Sequence, residues 1–408
     1  MRVFAFLVAV LLGLAPPAAA QSFRPPDPLS RPWESTQTKL GPIYFSPTFE
    51  MNGVGVDNNV FNSETNPKND LTGTLGLRSL AGLHFGEALV LQVTQSNSYI
   101  YYRRYRSERS IDSGLGAVLE YRTRLFRPWI RWESIKTSQR TGVEIDTRAE
   151  RKTPNFDFGV DLTSGFRLGV STAARRSRLR YNDTEVAADG ANLSEALDSR
   201  SDSYQAVLRY ELTDLSDFIA GADYIRDRFT KTPLRDNDSY YYYAGIRTKQ
   251  GATFVGSATM GFRQQRHRDP SVPDFKGVTA NVDVSVIPSE VLRIDVNALR
   301  DIGYSYQEQY PYFVQQATGG MLTSRFSEHF DVVLSGRGTW LTYGATMSGA
   351  SDPRTDRTTV LGVGTGYFLG SGSGTRIGIL LERAQRVSPI SERNYMTTRI
   401  SSSYRFSF

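Results

Sequence analysis

Tyr395-Met396-Thr397-Thr398-Arg399-Ile400-Ser401-Ser402-Ser403-Tyr404-Arg405-Phe406-Ser407-Phe408 alternates in character up to its last residue. Successive side chains of an extended strand point to opposite faces. Met396, Ile400, Tyr404, Phe406 and Phe408 therefore share one face. Arg399, Ser401, Ser403, Arg405 and Ser407 share the other. A soluble chain ordinarily finishes in a polar, frayed tail, whereas one greasy face and one wet face is the pattern of a strand between lipid and water.

Working outward from that stretch, strand-like runs recur about every twenty residues. They begin with 42–55, 70–83 and 88–102 and finish with 357–368, 374–384 and 395–408. Each is near the ~9–11 residues that a tilted membrane strand needs. Eighteen such runs are predicted, an even number. Their parity is explicit in 277–286, where Val278, Ala280, Val282, Val284 and Val286 oppose Thr279, Asn281, Asp283 and Ser285. In 154–163, Phe156, Phe158, Val160 and Leu162 oppose Asn155, Asp157 and Asp161. The connections alternate between short and long. Short ones such as Gly86-Glu87, Ser164-Gly165, Gln250-Gly251 and Gly370-Ser371-Gly372-Ser373 carry tight-turn residues. Long polar ones fall at 56–69, 140–153, 181–202, 265–276, 301–311, 343–356 and 385–394.

The expected fold is an all-β, antiparallel, up-and-down transmembrane β-barrel of about eighteen strands over residues 42–408. Short turns are expected in the periplasm and long loops outside, with both termini periplasmic, in the outer membrane of a Gram-negative bacterium. Phe85, Phe166, Phe218, Phe254, Phe330 and Phe408 are expected at the periplasmic rim. Tyr99, Tyr101, Tyr204, Tyr224, Tyr240 and Tyr242 are expected at the outer rim, as aromatic belts require. A final Phe at strand parity resembles the assembly signal of bacterial outer-membrane barrels. That makes the barrel-assembly machinery an expected partner through Phe408, beside outer-membrane lipid and lipopolysaccharide.

At the other end, Arg2 precedes an apolar run from Val3 to Leu14, and Ala18-Ala19-Ala20 offers a cleavage site before Gln21. Residues 1–20 are expected to be a removed secretory signal. Residues 21–41 form a Pro-rich extended leader, too short for a folded plug domain. No Cys is present, which excludes disulfides and lipoprotein attachment. Mean hydropathy is -0.38, a value that alternation keeps low even in a membrane barrel. The net charge is +6, and only seven of the 48 basic residues are Lys. The Arg residues are spread singly along strands, which argues against nucleic acid.

Function is sought in the lumen. Arg78, Arg131, Arg167, Arg209, Arg247, Arg263, Arg293, Arg337, Arg376 and Arg399 are expected to line it. Arg122, Arg124, Arg175 and Arg405 share those inward positions. One reading pairs them with inward acids, Arg293 with Asp283 for instance, and simply hydrates the wall. The other makes surplus guanidiniums a ladder for anionic solutes. No catalytic, cofactor or metal site is expected: the three His (His84, His267 and His329) fall in turns or loops without an evident nucleophile and acid.

Gly55-Val56-Asp57-Asn58-Asn59-Val60-Phe61, followed by Asn69-Asp70, resembles the opening of the β-barrel porin-2 family, often associated with exopolysaccharide gene clusters. The matching positions are Asp57, Asn58, Asn59, Phe61 and Asp70. The resemblance implies a porin-like barrel that passes or helps secrete a polysaccharide, with polysaccharide or its export machinery as partners; joined to the arginine ladder, the expected function is an anion-tolerant pore taking part in exopolysaccharide export. Asp57, Asn58 and Asn59 also suit an Asx-type turn leaving the first strand. A passive-diffusion porin and a non-conducting, glycan-binding surface barrel are the alternatives.

Overall fold

The computed structural model describes residues 38–344, 353–369 and 375–407, apart from 87, 141, 165, 188, 250 and 252. The expected signal, most of the leader, Phe408 and the turn Gly370–Ser373 lie outside the described residues. A short strand β1 (Thr38–Leu40) leads into β2 (Ile43–Asp57), β3 (Asp70–Phe85), β4 (Leu89–Tyr102), β5 (Ser110–Tyr121) and β6 (Phe126–Thr137). Next come β7 (Arg151–Thr163), β8 (Leu168–Tyr181), β9 (Ser199–Thr213), β10 (Ser216–Phe229), β11 (Asn237–Thr248) and β12 (Phe254–His267). The chain then runs through β13 (Phe275–Ser289), β14 (Leu292–Tyr304), β15 (Tyr312–Arg325), β16 (Phe330–Tyr343), β17 (Arg354–Phe368), β18 (Arg376–Val387) and β19 (Tyr395–Ser407).

From β2 onward each strand pairs antiparallel with the next, and β19 returns to β2, so eighteen strands close a cylinder. Closure leaves no sheet edge unpaired, the condition for crossing hydrocarbon. The end of the expected leader is not free: β1 folds back on β2, Leu40 opposite Ile43, around Gly41 at φ +58°.

Burial is inverted relative to a soluble protein. Phe158, Met260, Leu361, Ile379 and Ile400 are exposed, whereas Asp157, Asp217, Arg263 and Asp331 are buried. Directly opposite residues share a face across each ladder, as in Val284 with Val296 and Asp283 with Asn297. Two sets of side chains result, apolar outside and polar inside. Phe85, Phe166, Phe254 and Phe330 are exposed at the short-turn end; Tyr99, Tyr204, Tyr240 and Tyr242 are exposed toward the long-loop end.

Many expected boundaries move by a few residues, the long-loop ends of β12 and β14 among them. β12 continues to His267 and β14 to Tyr304, although the sequence placed their ends at 264 and 300. His267 is therefore a strand residue, its ring stacked on Tyr312 at 5.5 Å. The ladder simply continues past the apolar stretch, so polarity marked the end of the lipid face and not the end of the strand. The loop after β8 also holds a one-turn helix, α1 (Leu193–Leu197), whose cap Asn192 accepts from the Glu195 N–H at 3.0 Å.

β2 bulges between Asn52 and Gly55 against β3, with Gly53 at φ +61°, and on its other side the seam ladder with β19 shifts register between Ser402 and Tyr404. Arg399 donates to the Gly53 carbonyl at 2.9 Å. A side chain at Gly55 would place its Cβ 1.8 Å from the Ile400 carbonyl oxygen. Gly55→Val is therefore expected to abolish the folded, heat-modifiable species on unheated SDS gels. Gly336→Ala, whose Cβ meets only Leu361 Cδ2 at 3.5 Å, is expected to fold like wild type; equal folding of both variants would refute the seam assignment.

Candidate functional site

The loop joining β6 to β7, residues 138–150, does not stand away from the barrel. It reaches across the lumen to the wall formed by β15 to β18. Val143 packs against Tyr310, Phe313, Leu341 and Tyr343. Ile145 and Ala149 join Tyr181, Leu193, Leu197 and Tyr306 in a second cluster, drawn from β8 and from the loops 182–198 and 305–311. Hydrophobic burial thus docks the loop from two sides. A small cavity bordered by Val143, Ile145, Tyr181, Phe229, Tyr304 and Leu341 remains between the two walls.

Charged groups fix the docked position. Arg386 on β18, fully buried, donates to the Val143 carbonyl at 2.6 Å and to Asp356 at 2.7 Å, and it also holds the Asp146 carboxylate. Arg393 donates to the Glu144 carbonyl at 2.7 Å and to the Tyr306 hydroxyl at 2.9 Å, and lies 3.3 Å from Asp356. Arg354 stands 3.4 Å from Asp356 and 4.0 Å over the Tyr343 ring. Arg140 donates to the Val60 carbonyl at 2.6 Å, tying the inward loop to the first long loop. Buried guanidiniums are tolerated only when paired and bonded in this way.

Glu144 is the exception, for its carboxylate has no guanidinium in direct contact among the described residues. It accepts from the Ser305 hydroxyl at 2.5 Å. Burial pushes its carboxyl up to about 7, opposed only in part by Ser305 and Arg393. Burial raises Asp146 as well, against the pull of Arg386, Arg393 and Arg140. Among the described residues no group of His, Cys, Asp and Glu is arranged to hold a metal ion.

Of the ten arginines expected along the lumen, most are occupied by groups of the wall. Arg131 meets Asp157 at 2.5 Å, a carboxylate shared with Arg175 at 2.7 Å. Arg247 meets Asp217 at 2.9 Å, and Arg376 grips Asp331 through two bonds of 2.6 and 2.8 Å. Arg293 pairs at 2.8 Å with Asp295 on its own strand and donates to Ser285. Arg263 is buried, 3.3 Å from Asp301 and over the Tyr241 ring, out of reach of a passing solute. Arg209 donates to Thr163 at 3.3 Å, and Arg399 serves the seam. Arg78, Arg167 and Arg337 have no ion pair among the described residues. Pairing across the wall is thus the dominant state.

Sequence reasoning missed Arg140, Glu144, Asp146, Arg354, Asp356, Arg386 and Arg393, because polar loop residues look alike whether they hang in solvent or fold inward. The signal was Val143 and Ile145, two apolar residues in an otherwise polar loop.

The family-like residues converge on the seam and its neighbour. Asp57 accepts from the Asn59 N–H at 2.8 Å, the Asx turn expected from sequence, and from the Thr397 hydroxyl at 2.8 Å. Asn58 accepts from the Thr398 N–H at 2.8 Å. Buried Asn59 donates to the Ser63 and Met396 carbonyls. Asp70 accepts from the Leu71, Arg104 and Tyr105 N–H groups, while Phe61 packs edge-on against Tyr105 at 4.8 Å. The motif is a clasp joining the first strand to the last.

A closed eighteen-strand cylinder with an inward loop defines a porin-like outer-membrane β-barrel. Solved structures agree in fold. A BenF-like porin from Pseudomonas fluorescens Pf-5 aligns over 90% of this chain and 100% of its own, at 10% identity and TM-score 0.53. OccK9 (OpdG) of Pseudomonas aeruginosa aligns over 89% and 98%, at 10% identity and TM-score 0.52. A search of curated proteins returned no match. Over residues 31–408 the sequence matches the family described as "Putative beta-barrel porin 2", and the chain belongs to that family.

Glu144 generates a pH prediction. Its carboxyl pKa in the docked loop, about 7, exceeds the ordinary 4.5. Docking is therefore most favourable below 4.5 and weakens as pH rises through 7. After correction for the intrinsic increase of amide exchange with pH, hydrogen exchange at residues 142–148 is expected to rise between pH 4.5 and about 7 and to level off above it, and Glu144→Gln is expected to flatten that rise. An unchanged rise in the variant would refute the assignment.

Proposed function

We propose that this barrel is a channel for small solutes, filtered where loop 138–150 meets Arg386 and Arg393. The supporting observation is that loop's position, held across the lumen by guanidiniums bonded to its own carbonyls. An eighteen-strand barrel is wide enough for an aqueous path, and an inward loop narrows it. Arg78, Arg167 and Arg337, free of ion pairs among the described residues, favour anions over cations. In the proposed orientation the long loops face outward and both termini the periplasm.

Taking part in exopolysaccharide export is the finer expectation carried by the family resemblance. A carboxylated polymer would require loop 138–150 to leave the lumen, so small-solute diffusion is the reading the geometry supports better. Accumulation of polymer in the periplasm of a deletion strain would favour export instead.

Purified protein in planar bilayers is expected to give single-channel steps, with a reversal potential in a salt gradient showing anion preference. Absence of conductance would leave a surface glycan-binding barrel. Cation preference would overturn the role given to the unpaired arginines.

A further inference from the structure

The outer face of β8 to β12 departs from the pattern of the remaining wall. Tyr204, Tyr224 and Tyr240 stand side by side on β9, β10 and β11. Their rings lie 6.4 and 5.1 Å apart, part of the aromatic belt. One outward position further toward the long-loop end, the next row reads Arg176, Asp202, Arg226, Asp238 and Arg266 across five adjacent strands. Beyond it, Arg178, Arg200 and Arg228 are directly opposite one another on β8, β9 and β10. Further out still, Lys136, Lys152 and Arg180 form a third row on β6, β7 and β8.

Three carboxylates meet the first two rows: Asp202, Asp238, and Asp236, which stands 3.9 Å from Arg228. Asp202 is shared by Arg176 at 2.7 Å and Arg200 at 2.6 Å. Asp238 is shared by Arg228 at 2.7 Å and Arg226 at 3.7 Å. Among the described residues no ion pair holds Arg178, Arg180, Arg266 or Lys152, and all four are exposed. Like charges placed directly opposite on adjacent strands repel, so three arginines in one row are an arrangement that an external anion would relieve. Elsewhere outward basic residues stand singly, as Lys276 on β13, Arg300 on β14, Arg357 on β17 and Arg383 on β18, beside apolar positions such as Val56, Ile111 and Val387. What sets β8 to β10 apart is the direct opposition of outward arginines on adjacent strands.

We propose that this sector binds the phosphorylated head group of a lipid, specifically the sugar-phosphate head of lipid A in the outer leaflet. The site faces outward immediately beyond an aromatic belt, where lipid head groups lie. Guanidinium forks match phosphate oxygens bidentately, and basic residues at that depth attract anionic lipid. The proposal rests on the orientation given above and not on conduction.

The test is retention of bisphosphorylated lipid A by the purified full chain in detergent, read by native mass spectrometry. Wild type is expected to retain it and to lose dephosphorylated lipid A. The triple variant Arg178→Glu/Arg200→Glu/Arg228→Glu is expected to bind about tenfold more weakly or worse. The triple Gln variant at the same positions carries the test if the Glu variant fails to fold, and the triple Lys variant is expected to keep most of the binding. Equal retention by wild type and the charge-removed variants, or equal retention of both lipid forms by wild type, would overturn the proposal. Conductance of the same preparations reads the channel proposal separately.

Discussion

Hydrocarbon offers no water to a bare N–H or C=O, so a sheet that crosses it must close on itself. In this chain closure falls on one ladder, β19 against β2, formed between the two ends of the sequence. That ladder is also where the most specialised chemistry gathers. A bulge at Asn52–Gly55 admits the Arg399 side chain, and Asp57, Asn58 and Asn59 bond to Met396, Thr397 and Thr398. The remaining seventeen ladders join consecutive strands through turns or loops, so their partners are found locally. The seam alone has to be found across the whole chain, and side-chain bonds at its long-loop end supplement the backbone ladder there.

The second constraint concerns the lumen. A wide cylinder lined with polar groups is unselective unless something enters it. Loop 138–150 does so by burying Val143 and Ile145 on opposite sides while Arg386 and Arg393 bind its carbonyls. The apolar contacts supply the attraction, and the guanidiniums fix the register. Glu144 is buried and bonded to Ser305, and its carboxylate has no guanidinium in direct contact among the described residues. It links the position of the loop to protonation.

Much of the fold was legible because alternation is a local signal repeated eighteen times. Val278 to Val286 and Phe156 to Leu162 declare their faces without any knowledge of a partner strand. Where the wall rises beyond lipid the signal lapses, which is why His267 read as a loop residue and Tyr304 was not placed on a strand. The site was less legible. Inward arginines were identifiable by parity, but parity says nothing about Asp157 neutralising Arg131 or Asp301 burying Arg263. Nor does a polar loop reveal that it folds inward, since two of its carbonyls, at Val143 and Glu144, carry bonds to Arg386 and Arg393 beside the one made by Asp146.

The most direct measurement is the single-channel conductance of a variant in which residues 142–147 are replaced by a Gly-Ser linker of equal length. The linker removes the apolar anchors and Asp146 while leaving the wall intact. A severalfold larger conductance, with heat modifiability on gels unchanged, is the expected result. Conductance equal to that of wild type would contradict the claim that this loop, held by Arg386 and Arg393, sets the width of the path.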